Sequence, residues 1–152
     1  AFFTKEELDE LYSTCNQKYK EKLQTKIVDI TKNFPFDDNS FDGIFCTGTL
    51  HLFNSETIKG ILNEFNRVLK PNGKIVLDFA TDIVRYDNNN NLIKFDNEGN
   101  YTIDDAIAIF NQNLDNYDIK FIKSEFKEEN LDLKAGYSFI QGNFLVIIGT
   151  KK

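Results

Sequence analysis

The sequence has no methionine, not even an initiator, and no tryptophan; it has one histidine, two cysteines and two prolines. His51 with the distant Cys15 and Cys46 cannot supply the ligand set or spacing of a zinc site, so no metal is expected. Two cysteines are also too few for a disulfide scaffold, and they read as reduced thiols. No apolar run approaches the roughly 20 residues that a membrane span requires. A signal-peptide pattern is lacking too, so the expectation is a cytoplasmic chain without a membrane partner. Ser13, Ser40 and Ser55 lack the glycine-flanked turn of a hydrolase nucleophile. Basic excess is missing as well: the net charge is −6 and the pI near 4.8, which disfavours a nucleic-acid partner and fits a small or neutral substrate. Without an initiator, the chain reads as processed or truncated.

What is present is aromatic bulk, with fifteen Phe and six Tyr in 152 residues, and an alternating order of helices and strands. Thr4-Lys5-Glu6-Glu7 is a capping box, flanked by Phe3 and Leu8 as a hydrophobic staple. Leu8, Leu11, Tyr12, Cys15, Tyr19 and Leu23 follow at helical spacing and predict a helix over Lys5–Lys22. Lys26–Thr31 reads as a short buried strand and Ser40–Cys46 as another, with a loop at Thr47-Gly48-Thr49. Asn54 or Ser55 caps a helix whose stripe is Ile58, Ile61, Leu62, Phe65 and Leu69; Lys70-Pro71-Asn72-Gly73 ends it and turns the chain. Lys74–Ala80 is an apolar run of strand length. Ile83–Tyr86 and Leu92–Phe95 flank the Asn-rich turn of a hairpin inserted over residues 82–100. Thr102 caps a third helix with the stripe Ile103, Ala106, Ile107, Phe110 and Leu114. Two last strands lie near Ile119–Phe126 and Asn143–Gly149, joined by a connection from Lys127 to Gln141. No linker interrupts this order, so residues 1–152 read as a single, partial α/β domain. Ligands in such sheets bind at the carboxyl ends of the strands, here Asp29-Ile30, Cys46-Thr47-Gly48 and Phe79-Ala80-Thr81.

Three segments carry a family resemblance: Phe34-Pro35-Phe36, Ser40-Phe41-Asp42, and Arg67-Val68-Leu69-Lys70-Pro71-Asn72-Gly73. At these separations, with Val28-Asp29-Ile30 ahead of them, the chain resembles class I S-adenosylmethionine-dependent methyltransferases. The resemblance implies a three-layer Rossmann-like fold, with a mostly parallel sheet and an antiparallel final strand. It also implies S-adenosylmethionine as cofactor and a small-molecule methyl acceptor as substrate. Asp29 matches the adenine-binding acidic residue and Ile30 the amide beside it; Cys46 and Thr47 match the strand end that lines the methionine portion. Asp42 and Arg67 match structural landmarks. The glycine-rich turn and the first two strands of the family belong upstream of Ala1. They would lie between the Lys26–Thr31 strand and its neighbours, so a preceding segment or a partner chain is expected to complete the sheet.

Methyl transfer from a sulfonium needs in-line approach more than acid or base, and positioning alone can lower such a barrier by about 7–11 kcal/mol. His51 is the candidate general base, against a plainer role bonded to backbone in a helix lead-in. Tyr101 and Tyr137 are candidates for an acceptor pocket, though packing explains each. Asp78 stands inside an apolar strand and needs a partner. The alternative function is a catalytically inactive methyltransferase-like binding or assembly module; a nicotinamide-dependent oxidoreductase is a weaker third.

Overall fold

A computed structural model describes residues 4–94, 99–129 and 136–152. The chain divides into two compact units, Ala1–Pro35 and Phe36–Lys152.

In the first unit the capping box forms as read: the Glu7 amide donates to Thr4 Oγ1 at 3.2 Å and the Thr4 amide to Glu7 Oε2 at 2.7 Å. The single helix expected over Lys5–Lys22 is instead two, α1 (Lys5–Thr14) and α2 (Gln17–Lys20). Cys15 turns extended (ψ 136°) and the Asn16 side chain caps the second helix through the Lys18 amide. Ser13 and Thr14 donate their hydroxyls back to the Glu10 carbonyl, which competes with helix continuation. The strand expected over Lys26–Thr31 does not form. Strands need a ladder partner for their amides, and no described residues pair with this segment.

The second unit is an open sheet in the order β1-β2-β5-β4, built from β1 (Phe41–Cys46), β2 (Leu69–Tyr86), β4 (Tyr117–Glu129) and β5 (Phe139–Lys151). β1 pairs with β2 in parallel, while β5 lies antiparallel between β2 and β4. The three strands β1, β2 and β4 therefore share one direction. A short β3 (Leu92–Ile93) closes a hairpin on the end of β2, with Arg85 opposite Ile93. Asp87 holds the turn, its carboxylate accepting from the Asn89 and Asn91 amides at 2.8 Å each.

Two helices cover one sheet face. α3 (Ser55–Val68), capped by Asn54, buries Ile58, Ile61, Leu62, Phe65 and Val68; α4 (Ile103–Asn113), capped by Thr102, buries Ala106 and Phe110. Beneath them Ile75, Leu77, Phe79, Leu145 and Ile147 are fully buried, alternating along β2 and β5 as one strand face must. The opposite face carries Phe45 in register with Val76 and Ile148, and Phe45 is 75% exposed.

Strand lengths exceed the sequence expectation. β2 begins before Lys74 and runs through Ala80 to Tyr86; β4 and β5 extend into Lys127–Glu129 and Phe139–Gln141, segments read as loop. These extensions form an antiparallel ribbon beyond the core, so their polar composition is no obstacle and no apolar alternation announces them. Lys70–Gly73, expected as a turn, instead lie within β2 as an irregularity in the β1–β2 register: Phe41 pairs with Leu69, but Gly43 with Lys74. Asn72 takes a φ of 63°, and a Cβ on Gly73 would stand 2.6 Å from Leu69 Cγ.

The asymmetry of the two faces gives a direct test. In urea denaturation of the intact chain, Phe79→Ala should cost about 3–5 kcal/mol, because it leaves a cavity among Phe110, Tyr101 and His51. Phe45→Ala should stay within about 0.5 kcal/mol. Equal losses would contradict the packing described.

Candidate active site

The carboxyl end of β1 lies beside the middle of β2, because Cys46, the last residue of β1, is in register with Leu77. Past Cys46 the chain turns through Thr47, Gly48 and Thr49 into a 3-10 turn at Leu50–Leu52 and then into α3. Gly48 adopts a φ of 61°, a left-handed conformation that glycine takes without strain. Thr49 is buried and donates its hydroxyl to the Thr47 carbonyl at 2.8 Å. Asp78, one step beyond Leu77, accepts the Gly48 amide on Oδ1 at 2.6 Å. The partner that an apolar strand could not name for Asp78 is thus a loop amide across the rim.

Cys46 is half-buried, and burial pushes its thiol above the ordinary value; a hydrogen bond with Thr49 opposes this and the Asp78 charge adds to it. His51 lies in the 3-10 turn with its ring edge-on to Phe79, centroids 6.2 Å apart. Tyr101 packs on the same Phe79 ring at 5.1 Å and donates its hydroxyl to the Phe53 carbonyl. Tyr137 lies 5.4 Å from the Arg85 guanidinium. Both tyrosines therefore have packing roles.

Farther along the rim, β2 breaks register between Thr81 and Val84, and Asp82 takes a φ of 52° there. The Asn143 side-chain amide donates to Asp82 Oδ2 at 3.0 Å. A cavity of about 370 Å³ opens on each side of this break, one lined by Phe126 and Gly142, the other by Arg85, Lys94 and Tyr101.

The family model of the methyltransferase domain matches residues 5–77. No curated protein matches the chain. Among solved structures, the YcgJ protein of Bacillus subtilis superposes with a TM-score of 0.66 at 17% identity, over 98% of this chain and 80% of its own. A SAM-dependent methyltransferase from Methanosarcina mazei gives 0.57 at 19% identity, over 83% of this chain and 66% of its own. The 1,6-didemethyltoxoflavin-N1-methyltransferase of Burkholderia thailandensis, solved with 1,6-didemethyltoxoflavin and S-adenosylhomocysteine bound, gives 0.59 at 14%, over 99% and 58%. At these identities the solved structures establish the fold, and the family model adds the sequence pattern. Residues 5–77 are therefore similar to the methyltransferase domain in sequence pattern, and the fold is the one these solved structures share.

Within the matched segment the two landmark residues hold the fold. Arg67 reaches out of α3 to the Phe36 carbonyl at 2.8 Å, to Asp38 at 2.7 Å, and to both oxygens of Glu64. Asp42 receives Lys70 Nζ at 2.7 Å. Lys151, which nothing in the sequence singles out, donates to the Asn66 and Leu69 carbonyls at 2.7 Å each and so satisfies the end of α3. Asp29 and Ile30 belong to the first unit, at a turn and not at a strand end. Asp29 Oδ1 accepts the Thr31 hydroxyl at 2.7 Å and its amide at 3.0 Å, which holds its carboxyl below the usual range. Cys46, Thr47 and His51 occupy the rim of the second unit. The described residues contain no cluster able to hold a metal ion, and no described helix is long and apolar enough to cross a membrane.

A raised thiol pKa leaves Cys46 protonated at neutral pH, and alkylation requires the thiolate. The pH midpoint for iodoacetamide labelling of Cys46 should therefore lie higher in the native chain than in urea, as peptide mass spectrometry would read it. A native midpoint at or below the unfolded one would contradict the buried, Asp78-facing environment.

Proposed function

We propose that this domain transfers a methyl group from S-adenosylmethionine to a small-molecule acceptor at the rim where β1 ends beside Leu77 and Asp78 of β2. The observation that carries the reading is the Cys46–Thr49 turn, fixed by the Gly48–Asp78 hydrogen bond at the strand ends where ligands of open α/β sheets bind. When bound, S-adenosylmethionine supplies an electrophilic methyl group on a sulfonium, a cation that suits a rim with a half-buried carboxylate.

Cys46 and Thr47 line the methionine portion. Asp29 accepts from the adenine amine through its second oxygen, and the Ile30 amide donates to a ring nitrogen. His51 takes the acceptor's proton as the methyl group arrives. Its ring already rests against Phe79, which fixes its plane. The net charge of −6 supports a small acceptor over a phosphate backbone. The two rim cavities beside Asp82 offer room for one. The inactive assembly module has no observation in its favour. A cytoplasmic location belongs to the same proposal, resting on reduced thiols.

Calorimetric titration of the intact protein with S-adenosylhomocysteine tests the reading. Saturable heat is expected, and Asp29→Ala should weaken binding by about tenfold or more. No heat up to roughly millimolar ligand would end the proposal.

A further inference from the structure

Asp78 is an ionisable side chain in a strand otherwise made to be buried. Leu77 and Phe79 on either side are fully buried under the helices. Asp78 points to the opposite sheet face, where Val76 and Ala80 flank it along β2 and Val146 stands opposite on β5. It is half-buried there, with apolar side chains in both directions along the strand. A carboxylate has about four acceptor positions, and withdrawing it from water with few of them filled is costly. The Gly48 amide fills one, on Oδ1. Oδ2 has no hydrogen-bond or ion-pair partner among the described residues. If holding the loop were the whole purpose, a neutral asparagine would serve at lower desolvation cost.

From this we infer that Asp78 Oδ2 accepts the α-ammonium group of the cofactor's amino-acid end, making Asp78 a binding residue as well as the anchor of the Thr47–Gly48 turn. The inference rests on the methyltransferase reading and adds a residue that the family resemblance does not assign. Register supports it. Cys46 is level with Leu77, so Asp78 stands beside Thr47, at the strand end that lines the methionine portion. Two cationic centres exist on S-adenosylmethionine, the sulfonium and the ammonium, and only the ammonium has N–H donors. A carboxylate with one oxygen pinned and one open recognises such a group by a charge-assisted hydrogen bond.

Asp78→Asn keeps an acceptor oxygen for the Gly48 amide and removes the charge. Dissociation constants are measured for S-adenosylhomocysteine, which carries the ammonium, and for 5′-methylthioadenosine, which lacks the amino-acid end. The variant should bind S-adenosylhomocysteine about tenfold or more weakly and 5′-methylthioadenosine within about twofold, with the Gly48 amide resonance unmoved. Unchanged S-adenosylhomocysteine affinity would overturn the inference. So would equal loss for both ligands, which is the mark of a purely structural role. A wild-type titration with deaminated S-adenosylhomocysteine reads the same contact without a variant, and affinity equal to the parent ligand would also overturn it. If the wild type bound neither ligand, the methyltransferase reading itself would fall, a result distinct from the others.

Discussion

The parallel pairing of β1 with β2 is the constraint from which the rest of the second unit follows. Two parallel neighbours cannot be joined by a tight turn; the chain must leave one rim, cross the sheet and return at the other. α3 makes that crossing, and its apolar stripe is what glues it to the sheet. Its end is then satisfied from three directions. Arg67 ties it to the segment entering β1, Lys151 from the final strand takes its last carbonyls, and the irregularity at Asn72-Gly73 within β2 brings Lys74 into register with Gly43. With both ends of the crossover held, the register Cys46 to Leu77 is fixed, and Thr47 and Gly48 come to rest beside Asp78.

The same ladder separates two environments. Under the helices, Phe79, Phe110, Leu145 and Ile147 form a dry core that reaches the rim through Tyr101 and His51. On the other face Phe45, Ile122 and Ile148 remain exposed while Asp78 stands among apolar neighbours. The rim at the end of β1 therefore has packed aromatic rings on one side and a carboxylate on the other. Asp78 links them, because the loop amide it holds leads directly into the turn that carries His51.

Much of the second unit was legible in the sequence because its signals are local. Asn54, one of the two caps expected, and Thr102 cap their helices. Of the expected stripes Ile58, Ile61, Leu62 and Phe65 are buried on α3, Leu69 passes into β2, Ala106, Phe110 and Leu114 are buried, and Ile103 and Ile107 are half-buried. What escaped was set by pairing, not by local pattern. Lys26–Thr31 has strand-like residues and no ladder partner among those described, so it stays irregular. The polar ends of β2, β4 and β5 form strands only because each supplies the other's hydrogen bonds. The α1–α2 break lies in a run of helical spacing, where Asn16 prefers to cap. The place of Cys46, Thr47 and His51 at and just past the end of β1 was legible from the order of the elements. The partner of Asp78 was not, because thirty residues separate it from Gly48 and only the sheet brings them together.

Backbone amide shift mapping with S-adenosylhomocysteine tests the central proposal, that the end of β1 and the adjoining middle of β2 hold the cofactor, most directly. Perturbations should concentrate at Cys46–Thr49 and Asp78–Ala80 and be absent from the opposite rim around Asn116, Tyr117 and Lys151. Shifts confined to that opposite rim, or none at saturating ligand, would contradict it.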